Sequence, residues 1–554
     1  MSVSSTQPSP LIFSLDASTS GKLDVTISQG QIALASAQAS VPGAATQPVT
    51  VPVIVQSNGA TLASASITVA PTNPPLATMP GQTYASDAWL AAFPRNVSGF
   101  TIFATNNPVY VGTQTGDCAD FKTACAKAAS IGSLCILFRR GGTYTVDDNF
   151  QTNGLSASQP FVVGSTPDVQ NPRPVINSAM GLGNAKGPMQ FCVIFELDFY
   201  DPTADPANAA FAAKTQSAIE AAVRTDASQP GGSHLWIEDC RMRYLGGGLD
   251  LENNSNGTLQ TVIIRRCTID HCYGQRWGIY AYRLFDLLID ECILDHNGWA
   301  EPAGAWAGYG KNIFSHDAYL QKQLASDPAN MQTRVCRSII ARAAAEGNEQ
   351  RTAGVLDSCL FLANPIAGFL ENSAAQISNC VVDGGGGLFD LTIGTAGNRG
   401  WGLFSNATPT AAFTNVLAIN KPDPLNSGFA FGVQWINTDT QLNIATNATF
   451  TNCIVNNWDG PSFQLTSGTP GTIAHVNCDF PGIVAPGIIK TPTYVDATRC
   501  TAKYAASLGV AGVTDAASFL AYAAQNQRNG SWDARFMAAS VNNWVLAGFT
   551  TVAA

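Results

Sequence analysis

"WIEDCRMRY" at 236–244, "IIRRCTIDH" at 263–271 and "LIDECILDH" at 288–296 share one frame. In each, an aliphatic residue is followed by two polar residues, a cysteine, one further residue and another aliphatic. The cysteine returns after 27 and then 25 residues. Downstream the frame recurs in "VLDSCLFLA" (Cys359), "QISNCVVDG" (Cys380), "FTNCIVNN" (Cys453) and "AHVNCDF" (Cys478). "TRVCRSIIAR" fits if Cys336 has slipped by about two residues, and "AFTNVLAIN" (412–420) fits with Val416 in the cysteine position. The 44 residues from Cys292 to Cys336 hold one turn plus an insertion, and the 73 from Cys380 to Cys453 accommodate three turns.

A period of 20–27 residues, built from short β-branched runs and Gly/Asn/Asp turns, is that of a solenoid. The apolar residues alternate locally instead of recurring at three and four, which excludes helical repeats. The two polar residues before each cysteine mark a tight corner between strands. Asp239, Ser358, Asn379, Asn452 and Asn477 stand there, as a positive φ would favour for Asn and Asp. The pattern resembles the right-handed parallel β-helix of pectate-lyase-like proteins over roughly residues 116–500. Each frame cysteine is then a small inward side chain stacked about 4.8 Å from its equivalents. Parallel stacking is poor disulfide geometry, so free thiols are expected along the ladder. Any disulfide belongs among Cys118, Cys125, Cys135, Cys192, Cys272 and Cys500. No CxxC pair suggests zinc, and neither a metal site nor a cofactor is expected.

Of 554 residues only 12% are charged, while 45% are hydrophobic, so neutral polar groups must cover much of the surface. The net charge of −10 argues against binding nucleic acid through its phosphates. No run of about 18 apolar residues predicts membrane insertion. "MSVSSTQPSPLIF" lacks a basic region and a long apolar run, so the expectation is either a signal already trimmed or release by another route, such as cell lysis.

Residues 1–75 alternate strand runs with Pro breaks and read as a β-sandwich-like domain; 76–115 form a linker leading into the β-helix. A helix at about 117–129, capped by Asp117, should close the N-terminal end of the 116–500 solenoid. Residues 501–554 should form a C-terminal helical cap, with helices at 513–527 and 531–549 starting from Thr514 and Ser531.

"TIDH" and "ILDH" follow Cys267 and Cys292 in one frame, so Asp270 stacks on Asp295 and His271 on His296. These four are the candidate catalytic residues. Carboxyls one rung apart lie about 5 Å from each other, near the separation of a retaining glycosidase, and like charges that close raise one pKa. A lyase would instead use a His or Tyr base with Arg or Lys holding a uronate. The insertion after Cys292 and the turn beyond it supply candidate substrate contacts: Trp299, Trp306, Tyr309, Lys311, His316, Arg342 and Arg351. "AAAEGNEQRTAG" (343–354) crowds Glu346, Glu349, Gln350 and Arg351 into what reads as a turn.

A low-charge β-helix with a separate N-terminal domain resembles bacteriophage spike and tailspike proteins. That resemblance implies a virion or extracellular homotrimer, attached to other virion proteins through the N-terminal domain, which binds host polysaccharide, with or without cleaving it. The alternatives are a secreted bacterial polysaccharide lyase or glycoside hydrolase, and a non-catalytic structural or adhesive β-helix.

Overall fold

In the computed structural model the described residues are 12–14, 22–28, 31–38, 49–57, 60–69, 76–78, 82–92, 107–146, 153–168, 170–182, 190–212, 219–225, 234–252, 259–273, 277–300, 315–321, 332–371, 374–384, 399–404, 410–421, 430–434, 447–465, 471–527 and 532–551. They fall into two units, Met1–Leu76 and Ala77–Ala554. The smaller is antiparallel: Ile12–Ser14, Val49–Ser57 and Ala60–Val69 make one sheet, Lys22–Ser28 and Gln31–Gln38 a hairpin.

The larger unit is a right-handed parallel β-helix with sheets of thirteen, eleven and ten strands. One turn shows the route. Leu259–Arg265 lies in the thirteen-stranded sheet, Thr268–Asp270 in the eleven-stranded sheet and Trp277–Tyr282 in the ten-stranded sheet. The next turn starts at Leu284 and pairs in register, Ile263 with Leu288 and Ile269 with Leu294.

The residue before each frame cysteine is the corner between the first two strands. Asp239, Ser358, Asn379, Asn452 and Asn477 all have φ between 53° and 56° there. Asparagine brings a second advantage at this corner. Asn477, Asn452 and Asn415 each donate a side-chain amide to the asparagine one turn earlier, at 2.9, 3.1 and 3.1 Å.

The cysteines point inward. Cys240, Cys267, Cys292, Cys359, Cys380, Cys453 and Cys478 are at most 1% exposed. The Cys267 thiol donates to the Arg265 carbonyl at 3.3 Å, and burial pushes its pKa well up. All fourteen cysteines are free, including the six outside the ladder for which pairing was open. Cys336 pairs with Asp290, and Ser338 stands in the cysteine position before Ile339, which confirms the two-residue slip. Between Cys380 and Cys453 there are two turns, not three, the intermediate one carrying Val416. Long connections stretched the spacing that had suggested a third.

Two outer faces are covered by helices. Helix α1 (Ala85–Ala92) lies on the thirteen-stranded sheet. Its Trp89 meets Trp236 edge to face at 5.4 Å, and Ser86 donates its backbone N–H and its hydroxyl to Asp286 at 2.7 and 3.0 Å. Helix α2 (Phe121–Ile131) buries Phe121, Ala124 and Ala128 at the N-terminal end of the core. It is capped by Asp120; Asp117, the expected cap, instead holds Arg139 at 2.9 Å.

The C-terminal helices α3 (Thr501–Ser507), α4 (Ala516–Asn526) and α5 (Ala538–Gly548) are present, and they clad the flank of the eleven-stranded sheet. Phe519, Leu520, Val541 and Val545 pack on Ile339, Leu360, Leu362, Val381 and Leu417. Asn542 donates to the carbonyls of Cys359 and Asn379 at 2.9 and 3.1 Å. Helix α4 is capped by Asp515, one residue beyond Thr514, while Ser531 lies outside the described residues.

Candidate functional site

The ten-stranded sheet is the one long sheet on whose outer face no described helix packs. Each of its middle turns turns three side chains outward, at i, i+3 and i+5: Trp277, Tyr280 and Tyr282; His316, Tyr319 and Gln321; Glu346, Glu349 and Arg351. The i to i+3 step exists because two consecutive residues between them turn inward. At Gly278 a Cβ would stand 2.7 Å from the Asp317 carbonyl, and at Gly347 2.9 Å from that of Ala367.

Strand pairing stacks these residues into columns. Asp250 pairs with Tyr280, Tyr280 with Tyr319, Tyr319 with Glu349; beside them Glu252 pairs with Tyr282 and Tyr282 with Gln321. The rings make a continuous floor, Trp277–Tyr280 at 4.6 Å, Tyr280–Tyr319 at 5.6 Å and His316–Tyr319 at 5.0 Å between centroids. Carboxylates bound it at both ends: Asp250 and Glu252 on one side, Glu346 and Glu349 on the other. At about 4.8 Å per turn, the Asp250 and Glu349 rows stand roughly 14 Å apart.

The two ends differ electrostatically. Burial, reinforced by Glu252, pushes the Asp250 carboxyl up to about 7, and its Oδ1 is buried without a hydrogen-bond partner. At the other end His316 faces two carboxylates, Nδ1 2.9 Å from Glu346 and Nε2 3.3 Å from Glu349. Burial opposes its charge, but the two glutamates outweigh that and raise its pKa. Arg351 donates to Glu349 Oε1 at 2.8 Å and lies 5.3 Å from the Tyr319 ring centroid.

The residues read from the sequence as one site occupy two places. His316 and Arg351 belong to the face just described. Asp270, His271, Asp295, His296, Trp299 and Arg342 lie at the corner that ends the eleven-stranded strands. Asp270 does pair with Asp295 in register, and the rings of His271 and His296 stand 4.7 Å apart. Their chemistry differs from expectation. Asp270 and Asp295 are 3% and 2% exposed, covered instead of open to a ligand. Each has its own arginine: Arg241 grips Asp270 with two bonds of 3.0 Å, and Arg342 grips Asp295 with bonds of 2.7 and 2.5 Å. Burial opposes ionisation of Asp270, yet Arg241 and His271 prevail and hold it well below the usual carboxylate range. The raised pKa expected of a like-charge pair is therefore absent at Asp270.

His271 and His296 have φ of 58°, and Tyr244 and Arg342 hold the same corner in neighbouring turns at 55° and 56°. The imidazoles extend a stack that runs from Tyr244 through His271 and His296 to Trp299, with centroids 5.2, 4.7 and 3.9 Å apart. Trp299 donates its indole N–H to the Arg342 carbonyl at 2.8 Å. Trp306, Tyr309 and Lys311 lie outside the described residues.

The sequence reading missed Asp250, Glu252, Trp277, Tyr280 and Tyr282, and took Glu346–Gln350 for a turn where it is a strand. A usable signal was there: "WGIYAY" over "HDAYLQ", where tyrosines 280 and 319 align and apolar residues fall at the same inward positions.

Fold and face together define a parallel β-helix protein with one aromatic, carboxylate-flanked sheet surface. No family model matches the chain, and no curated protein matches it in sequence. Among solved structures it is similar to the pectate lyase Pel9A, at 12% identity over 72% of this chain and 85% of that one, with a TM-score of 0.26. So loose a superposition carries no argument about activity.

Proposed function

We propose that the chain is a glycan-directed β-helix that binds polysaccharide across the outer face of its ten-stranded sheet. The observation that carries this is the ring floor of Trp277, Tyr280 and Tyr319 between two carboxylate rows, on a long sheet with no described helix over its outer face. Sugar rings stack on aromatic faces, and carboxylates accept from their hydroxyls. Hydrolysis by the same face is favoured by Asp250, whose carboxyl keeps its proton up to about 7 beside Glu252, the condition a general acid needs. In the corner strip His271, a quarter exposed, is able to touch a ligand.

Within this reading the protein is a spike or tailspike-type component of a virion. The separate antiparallel unit at Met1–Leu76 attaches to other virion proteins, and three copies assemble around closed symmetry. The test is direct: incubate the full chain with host capsule or lipopolysaccharide, measure binding by calorimetry, and assay for new reducing ends and unsaturated uronates. Light scattering reports whether the mass is that of a trimer. Saturable binding lost on replacing Tyr280 and Tyr319 together supports the reading; binding untouched by that double substitution refutes it.

A further inference from the structure

We propose that His316, Glu346 and Glu349 form a site for one divalent transition-metal ion, of the Zn²⁺ or Mn²⁺ kind. The three belong to adjacent strands, His316–Gln321 and Glu346–Gln350, so they are held by sheet and not by loop. One ligand atom from each lies within 4.8 Å of the other two, and all three residues are buried.

A cluster of charges can be merely a salt bridge, so the detail of the contact matters. His316 is 3% exposed, and its Nδ1 stands 2.9 Å from Glu346 Oε2, yet neither atom makes a hydrogen bond. At that distance the reason is angular: the carboxylate oxygen lies off the line of the ring N–H. Two ligand atoms about 2.0–2.2 Å from a shared centre stand about 3 Å apart in such a bent relation. Imidazole with two carboxylates suits Zn²⁺ or Mn²⁺, whereas Mg²⁺ and Ca²⁺ prefer oxygen alone. Arg351, donating to Glu349 Oε1, fixes that carboxylate from behind; its Oε2 faces the other ring nitrogen, Nε2, at 3.3 Å. The ion therefore takes one ring nitrogen and reaches the second glutamate across a cluster whose ligand atoms lie within 4.8 Å of one another. The proposal is independent of whether a glycan binds the same face.

The competing arrangement is a doubly protonated His316 clamped between the two glutamates, with no ion. Chelator-treated full-length protein is titrated with ZnCl₂, and separately with MnCl₂, by calorimetry; melting is followed in parallel. One ion per chain, bound at micromolar or tighter affinity with a rise in Tm, is the expected result. Glu346→Gln and Glu349→Gln keep the side-chain shape, and each should weaken the ion at least tenfold while leaving the metal-free circular dichroism unchanged. His316→Ala is the stronger perturbation, and the two glutamine variants keep the test valid if it fails to fold. No saturable binding of either ion, or equal binding by wild type and both glutamine variants, overturns the site.

Discussion

Asp270→Asn separates a structural corner from a catalytic one. The carboxylate and Arg241 are 3% and 5% exposed, and Asp270 takes two bonds from the guanidinium at 3.0 Å. Asparagine keeps the shape but leaves Arg241 buried and uncompensated, with its Nη1 already without a hydrogen-bond partner. Breaking one half of a buried pair costs about 3–5 kcal/mol. The larger unit spans residues 77–554, so its unfolding entropy is of the order of 1 kcal/mol per kelvin and a cooperative melt should fall by roughly 3–5 °C. A larger fall would mean that only a few turns melt together, as solenoids allow. The double change Asp270→Asn with Arg241→Met should recover most of the loss, because no buried charge is then orphaned. The pH dependence has a definite sign. The folded carboxyl is held below its ordinary value, so the contribution is full above about pH 4 and is lost as pH falls below that. Wild type and variant should therefore converge in acid. Melting followed by circular dichroism and glycan binding measured on the same sample decide the matter. An unshifted melt together with abolished glycan binding or cleavage would show that Asp270 acts chemically, and the structural assignment of the corner would fall.

Tyr280→Ala and Tyr319→Ala should each weaken polysaccharide binding by about 1–2 kcal/mol, roughly 5–30-fold, with little change in melting; calorimetry that finds full affinity in both refutes the floor. Asp250→Asn tests the other carboxyl. Its folded value is raised to about 7, so its stabilisation is complete below about pH 4 and declines as pH rises toward 7. The variant should match wild type near pH 4 and exceed it at pH 8 by at most about 4 kcal/mol; parallel pH profiles of melting would contradict this. Denatured, unreduced protein should give fourteen thiols per chain, while in the native state the partly exposed Cys125 and Cys500 react first. A shortfall in multiples of two would reveal disulfides.

The β-helix was legible because its strongest constraint is local. A corner with φ near 55° followed by a small apolar slot repeats within four residues, and Asn379–Cys380 or Asn452–Cys453 carries it unaided. Where connections lengthen, the period blurs, and two turns between Cys380 and Cys453 passed for three. The site was half legible. His271 and His296 attract attention as chemistry, but their position is one that Tyr244 and Arg342 also fill, so the constraint there is backbone shape. The face of the ten-stranded sheet was hidden because its residues come from four turns, and its outward spacing of three and then two follows neither the period of a strand nor that of a helix. Nothing in a single strand marks Asp250 as lying beside Tyr280.

Charge usage links these observations. Only 12% of residues are charged, and that scarcity suggested a neutral glycan-facing surface. Many of the charges that exist are buried or half-buried in pairs bridging neighbouring turns: Arg265 with Glu238, Arg241 with Asp270, Arg337 with Asp290 and Arg342 with Asp295. Such pairs contribute little net stability over apolar packing, but they are exacting about alignment. A solenoid whose turns range from about 21 to 46 residues needs that, since a slip of one residue would turn every inward side chain out. The charges at the corners therefore hold turns in register. Asp250, Glu252, Glu346 and Glu349 differ in place: they line the outer face of the ten-stranded sheet, where pairing stacks Asp250, Glu252 and Glu349 with the tyrosine columns and Glu346 lies against His316. Asp250 has no arginine closing its Oδ1, and the glutamates at the far end converge on a histidine. Register requires none of that, and on this ground the search for ligand begins on that face.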